Sequence, residues 1–125
     1  MKSLKELKKI YQGKKVLITG HTGFKGSWLS IILEHLDAKV VGVSIDCKTD
    51  KGPYKSCKMY ERIYSDIRLD ISNREALKEL ICDTKPDFIF HLAAQALVSQ
   101  SYKFPYETII TNAFGTLNLL ECLKY

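Results

Sequence analysis

The sequence lacks the long apolar run that a membrane-spanning helix needs. No stretch of its 125 residues approaches the roughly 18 consecutive apolar side chains of such a helix. The basic N-terminus, MKSLKELKKIYQGKK, alternates charged residues with single apolar ones, so it also lacks the apolar centre of a signal peptide. It instead predicts a short amphipathic helix over residues 3–12, with Leu4, Leu7 and Tyr11 on one side. We therefore expect no association with a membrane.

Closely spaced cysteine pairs are also missing. The four cysteines include no Cys-x-x-Cys pair, which zinc sites and redox dithiols use to bring two sulfurs together. We therefore expect no metal site. Cys82 and Cys122 fall among apolar helix positions, which predicts buried free thiols. Free thiols are typical of a reducing compartment, so we expect the protein to be cytoplasmic.

The net charge of +5 is not gathered into a basic stripe interleaved with aromatic residues. Surfaces that bind nucleic acid usually have such a stripe. Because the lysines are scattered along the chain, a solvated lysine-rich surface explains the charge, and we expect no nucleic-acid partner. The positive balance could also attract an anionic cofactor or a nucleotide-sugar.

Short apolar segments and amphipathic segments alternate along the chain. Strands are predicted at residues 15–19, 39–44, 63–69 and 87–92, and helices at 24–36, from about 72 and at 106–123. Ser72 and Glu75 have the spacing of a capping box, and the polar residues 46–61 are predicted to form a loop. The alternation predicts an α/β fold, namely the N-terminal part of a Rossmann-type doubly wound parallel sheet, with residues 1–125 as one partial domain.

The predicted helices repeat apolar residues at helical spacing. In the helix from about residue 72, the residues expected to be buried are Leu77, Leu80 and Ile81. The other two helices have one apolar side each, consisting of Phe24, Trp28, Ile32 and Leu36 in the first and of Ile109, Ile110, Ala113, Leu117 and Leu120 in the last.

Three glycines follow the first predicted strand and open the next helix. Gly20 would permit a tight turn, Gly23 would let the backbone approach a pyrophosphate, and Gly26 would let the helix pack closely on the strand. The start of that helix would offer free amides and a positive dipole end to phosphates. A plain turn that needs glycine only for its geometry is the alternative, but the strand–turn–helix context favours a dinucleotide-binding loop.

The string TGHTGFKGSWL, residues 19–29, resembles the extended short-chain dehydrogenase/reductase family, also called NAD-dependent epimerase/dehydratases. Within that family it is most similar to the CDP-glucose 4,6-dehydratases, because most other members have an aliphatic residue in place of the lysine at position 25. The resemblance implies a cofactor-binding loop made of Gly20, Thr22, Gly23, Phe24, Lys25 and Gly26. Lys25 could reach a phosphate or simply be solvated.

Three further motifs are similar to those of the same family, so that the resemblance spans roughly residues 10–125. They are Asp70-Ile71, the string HLAAQALV at 91–98 and the string TNAFGTLNLLE at 111–121. The resemblance implies that Asp70 and Ile71 contact adenine. It also implies that the cofactor is contacted by Leu92, Ala93, Ala94, Gln95 and Thr111. His91 and Asn112 would be structural hydrogen-bonding residues. Asp66, in the string DIR, is an alternative to Asp70.

An acidic residue near the end of the second strand usually selects NAD over NADP by binding the ribose hydroxyls. Asp46 lies two residues beyond the predicted end of that strand and is the candidate, although it could also be a solvated loop carboxylate. Lys48 or Lys51 could instead meet a 2′-phosphate. Because no arginine is near, we expect the cofactor to be NAD.

The catalytic Tyr-x-x-x-Lys of short-chain dehydrogenases has no convincing counterpart. Tyr11…Lys15 and Tyr54…Lys58 have the spacing but lie outside the helical context that the motif requires. In the family this pair follows a fifth strand, past the position of Tyr125. We therefore assign no catalytic residue and expect this chain to be inactive alone.

The resemblance implies a parent enzyme that converts CDP-glucose to its 4-keto-6-deoxy derivative, regenerates bound NAD and forms a homodimer. Two alternatives stay open. One is another NAD-dependent sugar-nucleotide epimerase or dehydratase, which would share this cofactor-binding half. The other is a non-catalytic module that binds a nucleotide or a partner chain through an open sheet edge and apolar helix faces.

Overall fold

Four parallel strands form the centre of the computed structural model, which describes residues 3–46 and 52–124. In the sheet they are ordered β3, β2, β1, β4, and they consist of β1 (Lys15–Thr19), β2 (Lys39–Ser44), β3 (Ser65–Arg68) and β4 (Phe88–His91). The chain runs from β1 outward to β3 and then crosses to the other side of β1. In such sheets ligands bind where the strand order reverses, beyond the carboxyl ends of the strands. The predicted α/β fold is confirmed.

The central strands are buried on both faces because helices cover the sheet on each side. Successive side chains of a strand point to opposite faces. Accordingly, Val16 and Ile18 of β1 pack in one core cluster together with Leu33, whereas Leu17 packs in another together with Val41. This explains why the first strand has an unbroken apolar sequence rather than an alternating one.

Eight α-helices and one π-helical turn lie among the described residues. They are α1 (Leu4–Tyr11), α2 (Phe24–His35), α3 (Pro53–Ser56), α4 (Met59–Arg62), α5 (Arg74–Thr84), α6 (Val98–Lys103), α7 (Pro105–Ile109), the π turn Ile110–Phe114 and α8 (Gly115–Cys122). The predicted amphipathic helix α1 is present and begins with a capping box formed by Ser3 and Glu6. The tyrosine at its end, Tyr11, packs on the ring of Phe88 with 5.1 Å between ring centroids.

The apolar side predicted for α2 does not pack on the sheet. Phe24, Trp28 and Ile32 are 72%, 48% and 50% exposed, and of that set only Leu36, just beyond the helix, is buried. The helix instead buries Gly26, Ser27, Ser30 and Leu33. Because three of these four residues are small, the helix axis comes close to the sheet and to the glycine loop, which large side chains would prevent.

Three further predictions for the helices need correction. The first residue of α5 is preceded by Asn73, whose side chain caps the helix by accepting from the amide of Ala76, so Ser72 does not start a capping box. Residues 46–61 are not all loop, since α3 and α4 lie there, although residues 47–51 with Lys48 and Lys51 are outside the described residues. Cys122 is buried as predicted, but Cys82 is exposed because it lies on the outer side of α5.

The helix predicted at 106–123 is continuous in direction but contains the π turn between α7 and α8. Its predicted apolar side is largely exposed, as the exposure of Leu117 and Leu120 shows. Contact with α5 is made instead by Leu119 and Cys122, which join Leu77 and Ile81 in a third core cluster.

The burial of α2 gives a direct test of which side packs on the sheet. We expect Leu33→Ala to lower the free energy of unfolding by about 2–5 kcal/mol, because a side chain that is 1% exposed leaves a cavity. The neighbouring change Ile32→Ala should cost less than about 1 kcal/mol, because Ile32 is half exposed. Urea unfolding followed by circular dichroism measures both; equal losses would contradict this packing.

Candidate functional site

A cavity of about 900 Å³ opens at the carboxyl ends of the strands, where the strand order reverses. Its walls come from the glycine loop, the end of β2, the segments after β3 and β4, and helices α6 and α7 with the π turn. Eleven of the fourteen residues predicted to bind a cofactor line it: Gly20, Thr22, Gly23, Asp46, Asp70, Ile71, Leu92, Ala93, Ala94, Gln95 and Thr111. The sequence motifs thus converge on one site, although they are up to 91 residues apart, from Gly20 to Thr111.

The other three predicted residues do not line this cavity. Phe24 lines a second, smaller depression on the outer side of the glycine loop, together with Trp28. Lys25 is exposed at the start of α2, and Gly26 is buried beneath the loop. Gly26 therefore serves packing, as predicted for the third glycine, because a Cβ there would overlap the backbone of Gly20 and His21.

The glycine loop lies directly against the segment that follows β4. Gly20 has a φ of +77°, which favours glycine, and a Cβ there would lie 2.7 Å from the backbone nitrogen of Ala93. Its own amide donates to the carbonyl of Val43 at 2.7 Å, which joins the loop to β2. The loop is consequently anchored to both neighbouring strands, and any side chain at position 20 would force it away from β4.

Helix α2 begins at the cavity, and its first backbone amides donate no hydrogen bond to a capping side chain. Gly23 is the residue before the helix, and no side chain among the described residues caps it. The amides at the start of a helix carry partial positive charge and bind anions such as phosphate. The floor of the cavity therefore offers unpaired backbone amides at the start of α2.

The segment after β4 is fixed by a chain of hydrogen bonds through His91. The hydroxyl of Thr19 lies 2.7 Å from Nδ1 of His91, and Nε2 of His91 lies 3.0 Å from the hydroxyl of Thr116. The Thr19 oxygen also accepts from the amide of Ala93 at 3.2 Å. Burial lowers the pKa of His91, which favours the neutral ring that these hydrogen bonds require. The geometry gives His91 a structural role, as the family resemblance implies.

Gln95 lies at the cavity wall, but its side chain is bonded within the protein. Its Oε1 accepts from the amide of Leu97 at 2.7 Å, and its Nε2 donates to the carbonyl of Leu97 at 3.1 Å and to the hydroxyl of Thr108 at 3.3 Å. The amide group thereby closes a turn in the segment after β4. In this arrangement Gln95 shapes the wall and has no donor left for a ligand.

Asp66, which lies in β3, and Asp70, which follows that strand, have clearly different surroundings. Asp70 is exposed at the cavity, and its carboxylate accepts from the amide of Ser72 at 2.9 Å. Ile71 beside it is buried against Gly115, where a Cβ would lie 2.5 Å from the isoleucine Cδ1. Asp66 does not line the cavity, and its carboxylate is bonded to the side chains of His21 and Tyr54. Its position favours Asp70 over Asp66 as the ligand-facing acid.

A buried polar cluster beneath the glycine loop was not predicted. His21 is fully buried and its Nε2 lies 2.7 Å from Asp66, which also accepts from Tyr54 at 2.5 Å and from Arg68 at 2.7 Å. Burial and the hydrogen bond to Asp66 raise the pKa of Tyr54 to about 12. Burial alone would raise the pKa of Asp66, but the hydrogen bonds from Tyr54, Arg68 and His21 together lower it. The cluster ties α3 and β3 to the loop.

Neither Tyr-x-x-x-Lys match lies at the cavity. Tyr54 belongs to the buried cluster, while Lys58 is exposed. Tyr11 packs on Phe88, and Lys15 donates to the carbonyl of Thr84 at 2.9 Å. Within residues 3–46 and 52–124, no group of three or more metal-binding side chains is gathered, and no helix has the length and hydropathy of a membrane span.

Sequence comparison agrees with the geometry of this cavity. The family described as GDP-mannose 4,6 dehydratase matches residues 17–125. The chain belongs to this family. Its resemblance to the NAD-dependent epimerase/dehydratases is thereby confirmed.

Two curated relatives give the scale of the similarity within the family. The CDP-glucose 4,6-dehydratase of Salmonella typhimurium is 44% identical over 117 residues, which cover 94% of this chain and 32% of the relative. The GDP-mannose 4,6-dehydratase of Vibrio cholerae is 31% identical over 121 residues, which cover 89% of this chain and 31% of the relative. The chain thus spans about a third of the length of the curated relatives that it matches.

Solved structures share the fold of this dehydratase-family chain. An epimerase from Methanothermobacter thermautotrophicus matches with a TM-score of 0.81 at 29% identity, over 97% of this chain and 34% of that one. The UDP-glucose-4-epimerase of Stenotrophomonas maltophila matches with a TM-score of 0.76 at 26% identity, over 89% of this chain and 33% of that one. It was solved with bound NAD and formylated UDP-arabinopyranose. Structural neighbours with NAD support this cofactor for the family.

The buried His21 predicts a pH dependence of stability. Burial lowers its pKa below the ordinary 6.5, although Asp66 opposes the change, so the unfolded chain binds a proton more readily than the folded one. Stability is therefore full above about pH 6.5 and is lost as the pH falls through that value and below. His91 contributes in the same direction.

Urea unfolding between pH 7.5 and 5 measures this loss, which cannot exceed about 1.4 kcal/mol per pH unit for each histidine. His21→Gln keeps a donor for Asp66 but does not titrate, so we expect a smaller slope of stability against pH in that variant. An identical slope in the wild type and in His21→Gln would rule out His21 as a source.

Proposed function

We propose that this chain is the NAD-binding part of a sugar-nucleotide 4,6-dehydratase whose substrate is CDP-glucose. The observation that carries the proposal is the cavity at the reversal of strand order, where the glycine loop, Asp70 and the segment after β4 meet. Its volume of about 900 Å³ is within the range of small-molecule sites. The 44% identity with a CDP-glucose 4,6-dehydratase favours this nucleotide-sugar over others.

The residues present fit a dinucleotide along the cavity. Unpaired amides at the start of α2 suit the pyrophosphate, and the absence of a side chain at Gly20 and Gly23 leaves the backbone accessible. At one end Asp70 offers a carboxylate to an adenine ring, and Ile71 lines the same end with the small part of its apolar side chain that is not packed on Gly115. The small side chains of Ala93 and Ala94, with Thr111 opposite, would admit the ribose and phosphates of the other half.

NAD in such a site supplies a hydride acceptor and donor. The chain's own part would be to bind and orient it, through the loop amides and the wall after β4. No residue of this chain is assigned a catalytic role, and the activity of the whole enzyme would need groups in addition to those that line the cavity. Assembly as a homodimer and location in the cytoplasm stay predictions from the sequence.

A second candidate function is that of a sugar-nucleotide epimerase. It is favoured by the two epimerase structures that match this fold, and it would use the same cofactor cavity. A non-catalytic nucleotide-binding module would use it as well. A measurement of cofactor binding therefore tests what the three candidate functions share. An assay of CDP-glucose turnover by the whole enzyme separates the three functions.

The first test is isothermal titration of NAD into the chain. We expect saturable binding in the wild type and none detectable in Gly23→Trp, because the indole would occupy the cavity at the point where the helix amides are exposed. Leu120→Trp is the matched control, since it adds the same ring at an exposed position outside the cavity. Absence of binding by a wild-type chain that circular dichroism shows to be folded would refute the proposal.

The second test concerns the choice between NAD and NADP. Asp46 is exposed at the cavity and would accept from the ribose hydroxyls, whereas it would repel a 2′-phosphate. We expect Asp46→Ser to narrow the preference for NAD over NADP by about tenfold, which corresponds to about 1.4 kcal/mol. Parallel titrations of both cofactors measure this ratio, and an unchanged ratio would show that Asp46 does not contact the ribose.

A further inference from the structure

The helical segment formed by α7, the π turn and α8 contacts two opposite walls of the cavity. One wall is the segment after β4, residues 92–97, and the other is the segment after β3, residues 69–71. The helical segment is bonded to both through asparagine side chains. It therefore bridges the two walls.

Asn112 holds the wall after β4 through two hydrogen bonds to a single residue. Its Oδ1 accepts from the backbone amide of Gln95 at 2.8 Å, and its Nδ2 donates to the backbone carbonyl of Gln95 at 3.1 Å. A planar amide that pairs with both polar groups of one residue fixes the orientation of that residue as well as its distance. Gln95 in turn bonds to Leu97 through its side chain, so the constraint extends along the wall.

Asn118 holds the opposite wall. Its Nδ2 donates to the carbonyls of Ile71 and Ser72, each at 3.1 Å. Between the two asparagines, Thr116 bonds to His91 and Gly115 lets Ile71 pack directly on the helix. The helix therefore carries contacts to both walls within a few residues.

The π turn Ile110–Phe114 contains Asn112 and is followed by α8, which carries Asn118. A π turn accommodates one residue more than an α turn, and such turns are frequent at functional sites. The extra residue changes the direction in which side chains before it point relative to those after it. In this chain Asn112 faces Gln95 while Asn118, one turn and a half later, faces Ile71.

We infer that Asn112 is a positioning residue for the proposed cofactor, because it holds the wall after β4 at the orientation in which Ala93 and Ala94 face the cavity. The inference rests on the proposed function, since it supposes that NAD occupies this cavity. It acts through Gln95 and involves no contact between Asn112 and the cofactor, because Asn112 does not line the cavity.

The test compares Asn112→Ala and Asn112→Asp with the wild type by two measurements. Fluorescence titration gives the dissociation constant of NADH, which we expect to rise about tenfold in Asn112→Ala, as for the loss of two hydrogen bonds. Amide hydrogen exchange followed by NMR should become faster at Gln95 and Leu97. Asn112→Asp keeps the acceptor for the Gln95 amide but loses the donor, so both effects should be intermediate.

Asn73→Ala is the matched control. It removes an asparagine side chain that caps α5 and does not line the cavity, so it lowers stability without touching the wall after β4. We expect its NADH dissociation constant to stay within twofold of the wild type. A comparable rise in this control would overturn the inference, because a general loss of stability would then explain both variants.

The two measurements also separate the inference from the proposed function. Unchanged exchange at Gln95 in Asn112→Ala would overturn the positioning role whether or not NADH binds. Faster exchange with an unchanged dissociation constant would overturn its effect on the cofactor. If the wild type binds no NADH while exchange at Gln95 responds as expected, the control of the wall by Asn112 is supported and the proposed function fails.

Discussion

The backbone of Gly20 lies against the backbone of Ala93, and the rest of the site depends on that contact. It brings the glycine loop and the segment after β4 together at the reversal of strand order, so the cavity has a floor of main-chain groups. No side chain can be inserted between the two segments without separating them. The hydroxyl of Thr19, one residue earlier, bonds to the same segment and holds it in place. Because this contact joins backbone to backbone, the shape of the cavity floor does not depend on side-chain rotamers.

Close packing of α2 follows from the same requirement. The helix must begin beside the loop, so its inner side consists of Gly26, Ser27 and Ser30, with the serine hydroxyls bonded to carbonyls of the preceding turn or loop. Large apolar residues are therefore displaced to the outer side, where Phe24 and Trp28 are exposed. Hydropathy alone selects the wrong side of such a helix, because small residues contribute little to an apolar periodicity although they mark the closest packing.

What the sequence predicts well is local. The glycine spacing, the apolar strand β1 and the motifs at 70–71 and 91–98 each occupy a few consecutive residues, and parallel topology then brings them to one edge of the sheet. What it misses depends on partners far apart in the chain. The pairing of His21 with Asp66 joins residues 45 positions apart, and the π turn leaves the sequence periodicity almost unchanged. The cap of α5 is Asn73 rather than Ser72. Residue preferences for helix caps cannot distinguish these two neighbouring positions, because both asparagine and serine cap helices.

Gly42 of β2 has a consequence for how this fold can change during evolution. The imidazole of His21 occupies the space where a Cβ at position 42 would stand. An alanine at 42 would collide with the ring, whereas a small residue at 21 would leave a void and deprive Asp66 of a partner. An added side chain at position 42 therefore requires a smaller residue at position 21, with a step through an unfavourable intermediate. The histidine in the glycine loop and the glycine in the neighbouring strand thus constrain each other's replacement.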